Sequence, residues 1–302
     1  MAAKKTILVV GATGQQGGSV VRHLLDSGNF NVRGLTRNTN SDSAQALIKA
    51  GVELVPGELS DISTIRKAIR GCDGVFGVTN FWEHFNKEFE HGINLIEAVE
   101  AEKIKHLVFS SLPNPRNFGQ GELDVPHFEL KARVEEQIRK KGLPATIIHA
   151  AFYYENFIYF LPPQKQSDGS YSFGFPQGDT PLAAVSAEDI GGIVTPVFEN
   201  PEKYIGKNLG VVGDDRPAKD YAEIMTQVTG KKIVYNYIPR DVFAGFGFPG
   251  AEDLANMFEM NRLYIPNRTD DLNSCLNLYD RMQSFETWAL RNKDRLAAVL
   301  PE

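Results

Sequence analysis

Gly11, Gly14 and Gly17 recur at three-residue intervals in Gly11-Ala12-Thr13-Gly14-Gln15-Gln16-Gly17, a spacing suited to holding a phosphate. The first glycine permits a tight turn, the middle one lets the backbone approach a pyrophosphate, and the last lets a following helix pack closely on the preceding strand. Amides at the helix N-terminus then face the anion. Arg37 follows about 20 residues beyond the last glycine, where a binder of NAD usually places an acid for the ribose hydroxyl. Here the charge is reversed. A guanidinium offers a planar fork of donors to a 2′-phosphate, which makes NADP(H) the expected cofactor and Asn38 a second donor. The plain alternative is a solvated surface arginine.

Further candidates lie where chain segments of strand length end. Asp61 has two readings, an acceptor for an adenine amino group or the N-cap of the stretch from Ser63 to Ile69. Thr79 and Asn80 close the fourth apolar run and should border the cofactor, since ligands of such sheets sit at the carboxyl edge. Phe81, Trp82 and Phe85 follow and either line an apolar substrate pocket or cap the core. The run Phe152-Tyr153-Tyr154-Glu155-Asn156-Phe157 follows the sixth apolar run. It reads as a core aromatic cluster or as a contact to the nicotinamide end, with Tyr153 to Asn156 touching cofactor and Tyr153 and Phe157 touching substrate. Buried, the Glu155-Asn156 pair would need partners.

Carbonyl-reducing short-chain dehydrogenases use Tyr-x-x-x-Lys, in which the lysine holds the nicotinamide ribose and lowers the tyrosine pKa. The chain has no such pattern. At the corresponding place stands His127-Phe128-Glu129-Leu130-Lys131, with His127 and Lys131 one helical turn apart on one face. Lys131 is the candidate cofactor-orienting group and His127 the candidate acid and substrate contact. The alternatives are a solvated helix lysine and a histidine that merely satisfies a helix start after Pro126. Neither metal-ligand spacing nor a Gly-x-Ser-x-Gly elbow is present.

These residues need a scaffold, and the apolar pattern supplies one. Runs at Thr6 to Val10, Asn31 to Thr36, Val52 to Val55, Gly74 to Thr79, His106 to Ser110 and Ala145 to His149 alternate with helix-like stretches, the mark of a parallel sheet covered on both faces. Right-handed crossovers give a doubly wound Rossmann sheet. After residue 150 the texture changes. Residues 1–150 are expected to form the cofactor domain and 151–302 a smaller α/β substrate or partner lobe, interleaved with the first sheet through late strands at Asn208 to Val212 and Lys232 to Tyr237. Helices are expected at Ala187 to Phe198, Ala218 to Thr229, Ala251 to Asn261 and Phe285 to Leu300.

Composition narrows the function classes. With 32 basic against 38 acidic side chains the formal charge is −6, which opposes non-specific attraction to nucleic acid. The two cysteines lie far apart, as in a reducing compartment. Met1-Ala2-Ala3-Lys4-Lys5 leads into an apolar run too short for a signal peptide, and no later run approaches membrane length. The expected location is the cytoplasm, with the nucleus also open.

The glycine turn, Arg37, Thr79-Asn80-Phe81-Trp82-Glu83, His127 to Lys131, Tyr153 to Asn156, Phe248-Pro249-Gly250-Ala251 and Asp253-Leu254-Ala255-Asn256-Met257-Phe258 together resemble the NmrA-like family of atypical short-chain dehydrogenases, and within it the HSCARG type. The resemblance runs nearly end to end. It implies a Rossmann sheet of order 3-2-1-4-5-6, preference for NADP(H), and in several members a regulatory role that senses the NADPH to NADP ratio, sometimes with redox-dependent dimerisation. Family cofactor contacts would fall on Gly11 to Gln16, Arg37, Asp61, Thr79, Asn80, Lys131 and Tyr153 to Asn156. One departure is Glu90, which stands where the HSCARG type carries a cofactor-contacting lysine. The wider group, including isoflavone and quinone reductases, transfers hydride without the tyrosine. The resemblance therefore implies either a redox sensor with a regulatory protein partner, as monomer or homodimer, or an NADPH-dependent oxidoreductase acting on an aromatic or heterocyclic enone, quinone or iminium.

Overall fold

The computed structural model describes residues 3–300; Met1, Ala2, Pro301 and Glu302, which fall at the ends of the stretches read above, lie outside the described residues. The chain divides into two compact units. The first holds the chain through Pro113, His127–Ala150 and Glu188–Leu209; the second holds Asn114–Pro126, Ala151–Ala187 and the chain from Gly210.

The first unit is wound around β1 (Lys5–Val10), β2 (Phe30–Thr36), β3 (Glu53–Pro56), β4 (Gly74–Gly77), β5 (His106–Ser111) and β6 (Ala145–Ala150). Their order is 3-2-1-4-5-6, all parallel, and a seventh strand, Asn208–Val211, adds beside β6. The expected Rossmann order is thus present and one strand longer, but of the two late strands expected to join it only this one does, since Ile233–Tyr237 pairs with Tyr171–Phe175 in a separate sheet. Ile7 to Val10 are buried without alternation, because helices cover both sheet faces. The helices are α1 (Gln15–Ser27), α2 (Asp42–Lys49), α3 (Ile62–Ile69), α4 (Phe81–His84), α5 (Glu88–Ala101) and α6 (Pro126–Lys140). Leu8, Ile65, Leu95, Phe109 and Ile147 belong to one buried cluster that joins sheet and helices.

Two devices fix the elements that carry the candidate residues. Ser19 of α1 donates its hydroxyl to Glu188 O at 2.5 Å and accepts the Gly191 amide at 2.9 Å. This pins α1 against the helix Ile190–Glu199. On α5, the buried side is Glu88, His91, Gly92, Leu95, Ile96, Ala98 and Val99, close to the 3.6-residue stripe of a core-facing helix, with a carboxylate at its head.

In the second unit Leu182–Val185 lies between Asp214–Arg216 and Phe152–Tyr153, and Tyr171–Phe175 lies between Ile233–Tyr237 and Gln164–Lys165. The polar stretch after Gln164 is a hairpin turned at Asp168, whose Oδ1 accepts the amide and hydroxyl of Ser170. The helix expected over Phe285 to Leu300 is two, Phe285–Arg291 and Lys293–Ala298. Asn292 separates them, its amide donating to Trp288 O at 3.0 Å. Among the described residues no helix is long and apolar enough to cross a membrane.

Candidate functional site

The glycine turn joins β1 to α1. Gly11 has φ +63°, and a Cβ on Gly17 would stand 2.1 Å from Gly11 O and 2.9 Å from Val10 O. Only glycine fits at either place without a shift of backbone. Gly14 is the N-cap of α1 and offers no side chain to its amides. Thr13, Gly14 and Gln15 are exposed while Ala12 and Gly17 are buried. The positive end of a helix of 13 residues therefore opens to the surface without an acidic residue in its first turn, which favours an anion there.

Arg37 follows β2 at the same sheet edge. Its guanidinium is paired with Glu83 of α4. Glu83 also accepts from Asn80 Nδ2 at 3.2 Å, and the hydrogen bond from Arg37, partly opposed by burial, holds its carboxyl below the usual range. Asn38 is exposed and uses Oδ1 to accept the Asn40 amide at 2.9 Å. Asp61 realises its capping alternative: Oδ1 accepts the Ser63 amide at 2.8 Å and the Ser63 hydroxyl at 2.6 Å. The hydroxyl bond and then the amide bond lower its pKa.

Beyond β4 the chain gathers Thr79, Glu88 and Lys131. Lys131 Nζ donates to Thr79 O at 2.8 Å and to Thr79 Oγ1 at 3.0 Å, and pairs with Glu88 Oε1. Thr79 Oγ1 in turn donates to Glu88 Oε1 at 2.5 Å. An ammonium has three protons, and these contacts use them all. Lys131 is thus no solvated helix lysine. Glu88 is enclosed, and its Oε2 has no hydrogen-bond partner among the described residues.

Phe81, Trp82, Phe85 and His127 come together. Phe81 is centred 5.1 Å from Trp82, 5.4 Å from Phe85 and 5.8 Å from His127, and His127 lies 5.3 Å from Trp82. Phe81 and His127 are buried, whereas Trp82 and Phe85 are exposed. Phe85 adopts φ +44°, a conformation that costs a bulky side chain energy and recurs at ligand-binding loops.

The run after β6 belongs to the second unit. Tyr154 is fully buried, its hydroxyl donating to Gln283 O at 3.2 Å. The Glu155 carboxylate accepts from Ser186 Oγ at 2.9 Å, Ala187 N at 3.0 Å and Trp288 Nε1 at 3.1 Å. Phe157 packs its ring against Phe173, Phe285 and Tyr221. These three side chains build that unit's core, the plainer of the two readings of the run. Phe152, Tyr153 and Asn156 are the part-exposed members.

Glu88 and the pairing of Glu83 escaped the sequence reading. A signal for Glu88 existed: an acid at the head of an otherwise buried stripe demands a cation, and Lys131 was the candidate at hand. Nothing comparable marks Glu83, whose pairing joins residues 46 apart in the chain.

The profile of the NmrA-like family matches residues 3–286. An NmrA-like family domain-containing protein of Dictyostelium discoideum is 33% identical over 243 residues, covering 78% of this chain and 80% of the relative. An NmrA-like family domain-containing oxidoreductase of a Cladobotryum species, FrzB, is 32% identical over 276 residues, covering 83% and 82%. Among solved structures, NmrA, a negative transcriptional regulator in complex with NADP, superposes with a TM-score of 0.81 at 22% identity, covering 95% of this chain and 94% of that one. The last likeness is one of fold. With the profile spanning nearly the whole chain and relatives above 30% identity over most of it, the chain belongs to the NmrA-like family.

Proposed function

We propose that the chain binds a nicotinamide dinucleotide, NADP(H) in preference to NAD(H), and acts as a redox-responsive binding protein whose state depends on the oxidation form it holds. The turn fits a pyrophosphate: a side chain at Gly17 would collide with the strand, Gly14 leaves the amides uncovered, and the open end of α1 favours an anion. Arg37 would take the 2′-phosphate with a bidentate fork. Thr79, Asn80 and Lys131 stand at the edge of β4, where the nicotinamide ribose of such cofactors lies.

One observation carries the binding reading over a catalytic one: the three protons of Lys131 are committed to Thr79 and Glu88. A lysine that assists a catalytic acid through a hydrogen bond must give one of them up. Limited proteolysis and sedimentation with NADPH and with NADP in turn test the proposal, because a ligand shifts an equilibrium only by its differential affinity for two states. The two forms should give different cleavage patterns or assembly. Identical affinity, pattern and assembly would overturn the sensing role.

A second reading is favoured by the rings around His127 and by the Cladobotryum relative, whose name is that of an oxidoreductase. In it Phe81, Trp82 and Phe85 hold an aromatic or heterocyclic enone, quinone or iminium. The bound dinucleotide would supply the hydride. His127 would hold or give the proton, a demand that is small for a substrate already electrophilic at carbon. Detectable single-turnover loss of bound NADPH with such a panel would favour this reading.

A further inference from the structure

The Arg37 guanidinium, which follows β2 where the 2′-phosphate of NADP(H) is proposed to sit, already carries an anion of the chain's own. Glu83 reaches it from the first turn of α4, and both side chains are substantially solvent-accessible, at 59% for Arg37 and 39% for Glu83. The carboxylate is steered by more than one group: Asn80 Nδ2 donates to Glu83 Oε2 at 3.2 Å, and His84 Nε2 lies 3.8 Å from the same oxygen. Arg37 thus meets a side chain anchored at the end of β4 and held on a second side, unlike a stray surface pair between two long, mobile residues.

We infer that Glu83 is a specificity-determining residue, an internal competitor that a 2′-phosphate must displace from Arg37 and that a 2′-hydroxyl need not. The inference rests on the proposed dinucleotide site. A phosphate cannot share the guanidinium fork with the carboxylate without two anions lying side by side, so binding NADP(H) entails breaking the Arg37–Glu83 pair and moving Glu83 away. NAD(H) carries no charge at that position. Its ribose hydroxyl can donate to Glu83 while the ion pair stays closed, the task an acid at the end of the second strand performs in binders of NAD. Arg37 and Glu83 together therefore serve both cofactors, and Glu83 narrows the preference that Arg37 creates. Because the pair is exposed, the competition is modest and weakens with salt.

Titration calorimetry of NADPH and NADH against full-length wild type, Glu83→Gln, Glu83→Ala and Arg37→Ala tests this. Removing the carboxylate should tighten NADPH binding by about threefold to tenfold, the scale of one exposed pair plus relief of like-charge repulsion, and should leave NADH unchanged or weaker. A rise of threefold or more in the ratio of NADPH to NADH affinity in both Glu83 variants supports the role. An unchanged or lower ratio, or equal tightening of both cofactors, overturns it. If Arg37→Ala selectively weakens NADPH while the Glu83 variants match wild type, Glu83 alone loses its role. If wild type binds neither dinucleotide, the proposed site falls and Glu83 with it.

Discussion

Glu88 and Lys131 form an ion pair in which the Glu88 side chain is wholly enclosed and the Lys131 side chain is 12% exposed. Thr79 completes it by accepting from Lys131 and donating to Glu88. The pair ties the end of β4 to α5 and α6. Removing one partner of such a buried pair leaves an uncompensated charge and typically costs about 3–5 kcal/mol. Glu88→Leu should therefore destabilise the protein by about that amount, and Glu88→Leu combined with Lys131→Met by much less. Urea denaturation of the two variants beside wild type measures this. Equal losses in the single and double variants would mean that packing, and not the charge pair, holds the three elements together.

Gly17→Ala tests the turn. The new Cβ would fall 2.1 Å from Gly11 O, so strand and helix must part. The expected cost is about 1–3 kcal/mol of stability and at least about a tenfold loss of dinucleotide affinity, since the amides of α1 move with its first turn. Fluorescence titration with NADPH on the folded variant reads the second effect. Wild-type affinity there would remove the turn from the proposed site.

His106 predicts a pH dependence. Thr146 donates its one hydroxyl proton to Tyr204 O at 2.8 Å, so His106 Nε2, 2.8 Å from Thr146 Oγ1, must carry the hydrogen. Nδ1 is buried with no partner among the described residues. Burial, aided by the charge of Lys5, lowers the pKa from the ordinary 6.5 to about 4. Between those values the unfolded chain binds a proton that the folded chain refuses, so stability is full above pH 6.5 and falls as pH drops toward 4. The shift corresponds to about 3 kcal/mol. Denaturation midpoints followed from pH 7 to pH 4 should fall less steeply in His106→Gln. A slope equal to that of wild type would show that other groups dominate acid lability.

If a substrate exists, His127 and Lys131 should separate. His127→Ala should slow single-turnover reduction of a ketone by about 100- to 10,000-fold, affect a quinone or iminium little, and leave NADPH affinity near wild type. Lys131→Ala should weaken both cofactor binding and turnover. Rapid-mixing absorbance of bound NADPH distinguishes them, and an active substrate slowed by neither change would place the chemistry at other residues.

How much was legible followed how local the cause was. β1, α1 and the glycine turn are written in contiguous residues, and the apolar runs marked all six first strands to within a few positions. The core run Tyr171–Phe175 was equally periodic, with Tyr171, Phe173 and Phe175 buried. Its five residues are few for a periodicity to stand out beside the polar turn at Asp168 and Ser170. The break at Asn292 had no helix-ending glycine or proline to announce it. Glu155 could be seen to need partners, but Trp288, which supplies one, lies 133 residues away. Glu83 met the same limit: its charge was visible, while the cation it faces comes from another element 46 residues away.

The central claim is that Arg37 recognises a 2′-phosphate beside the glycine turn. Calorimetric titration of NADPH and NADH into wild type and Arg37→Ala tests it most directly. Loss of a charge-assisted bond worth about 1.5–3 kcal/mol should weaken NADPH by about 10- to 100-fold and leave NADH nearly unchanged. Equal weakening of both cofactors, or of neither, would contradict it.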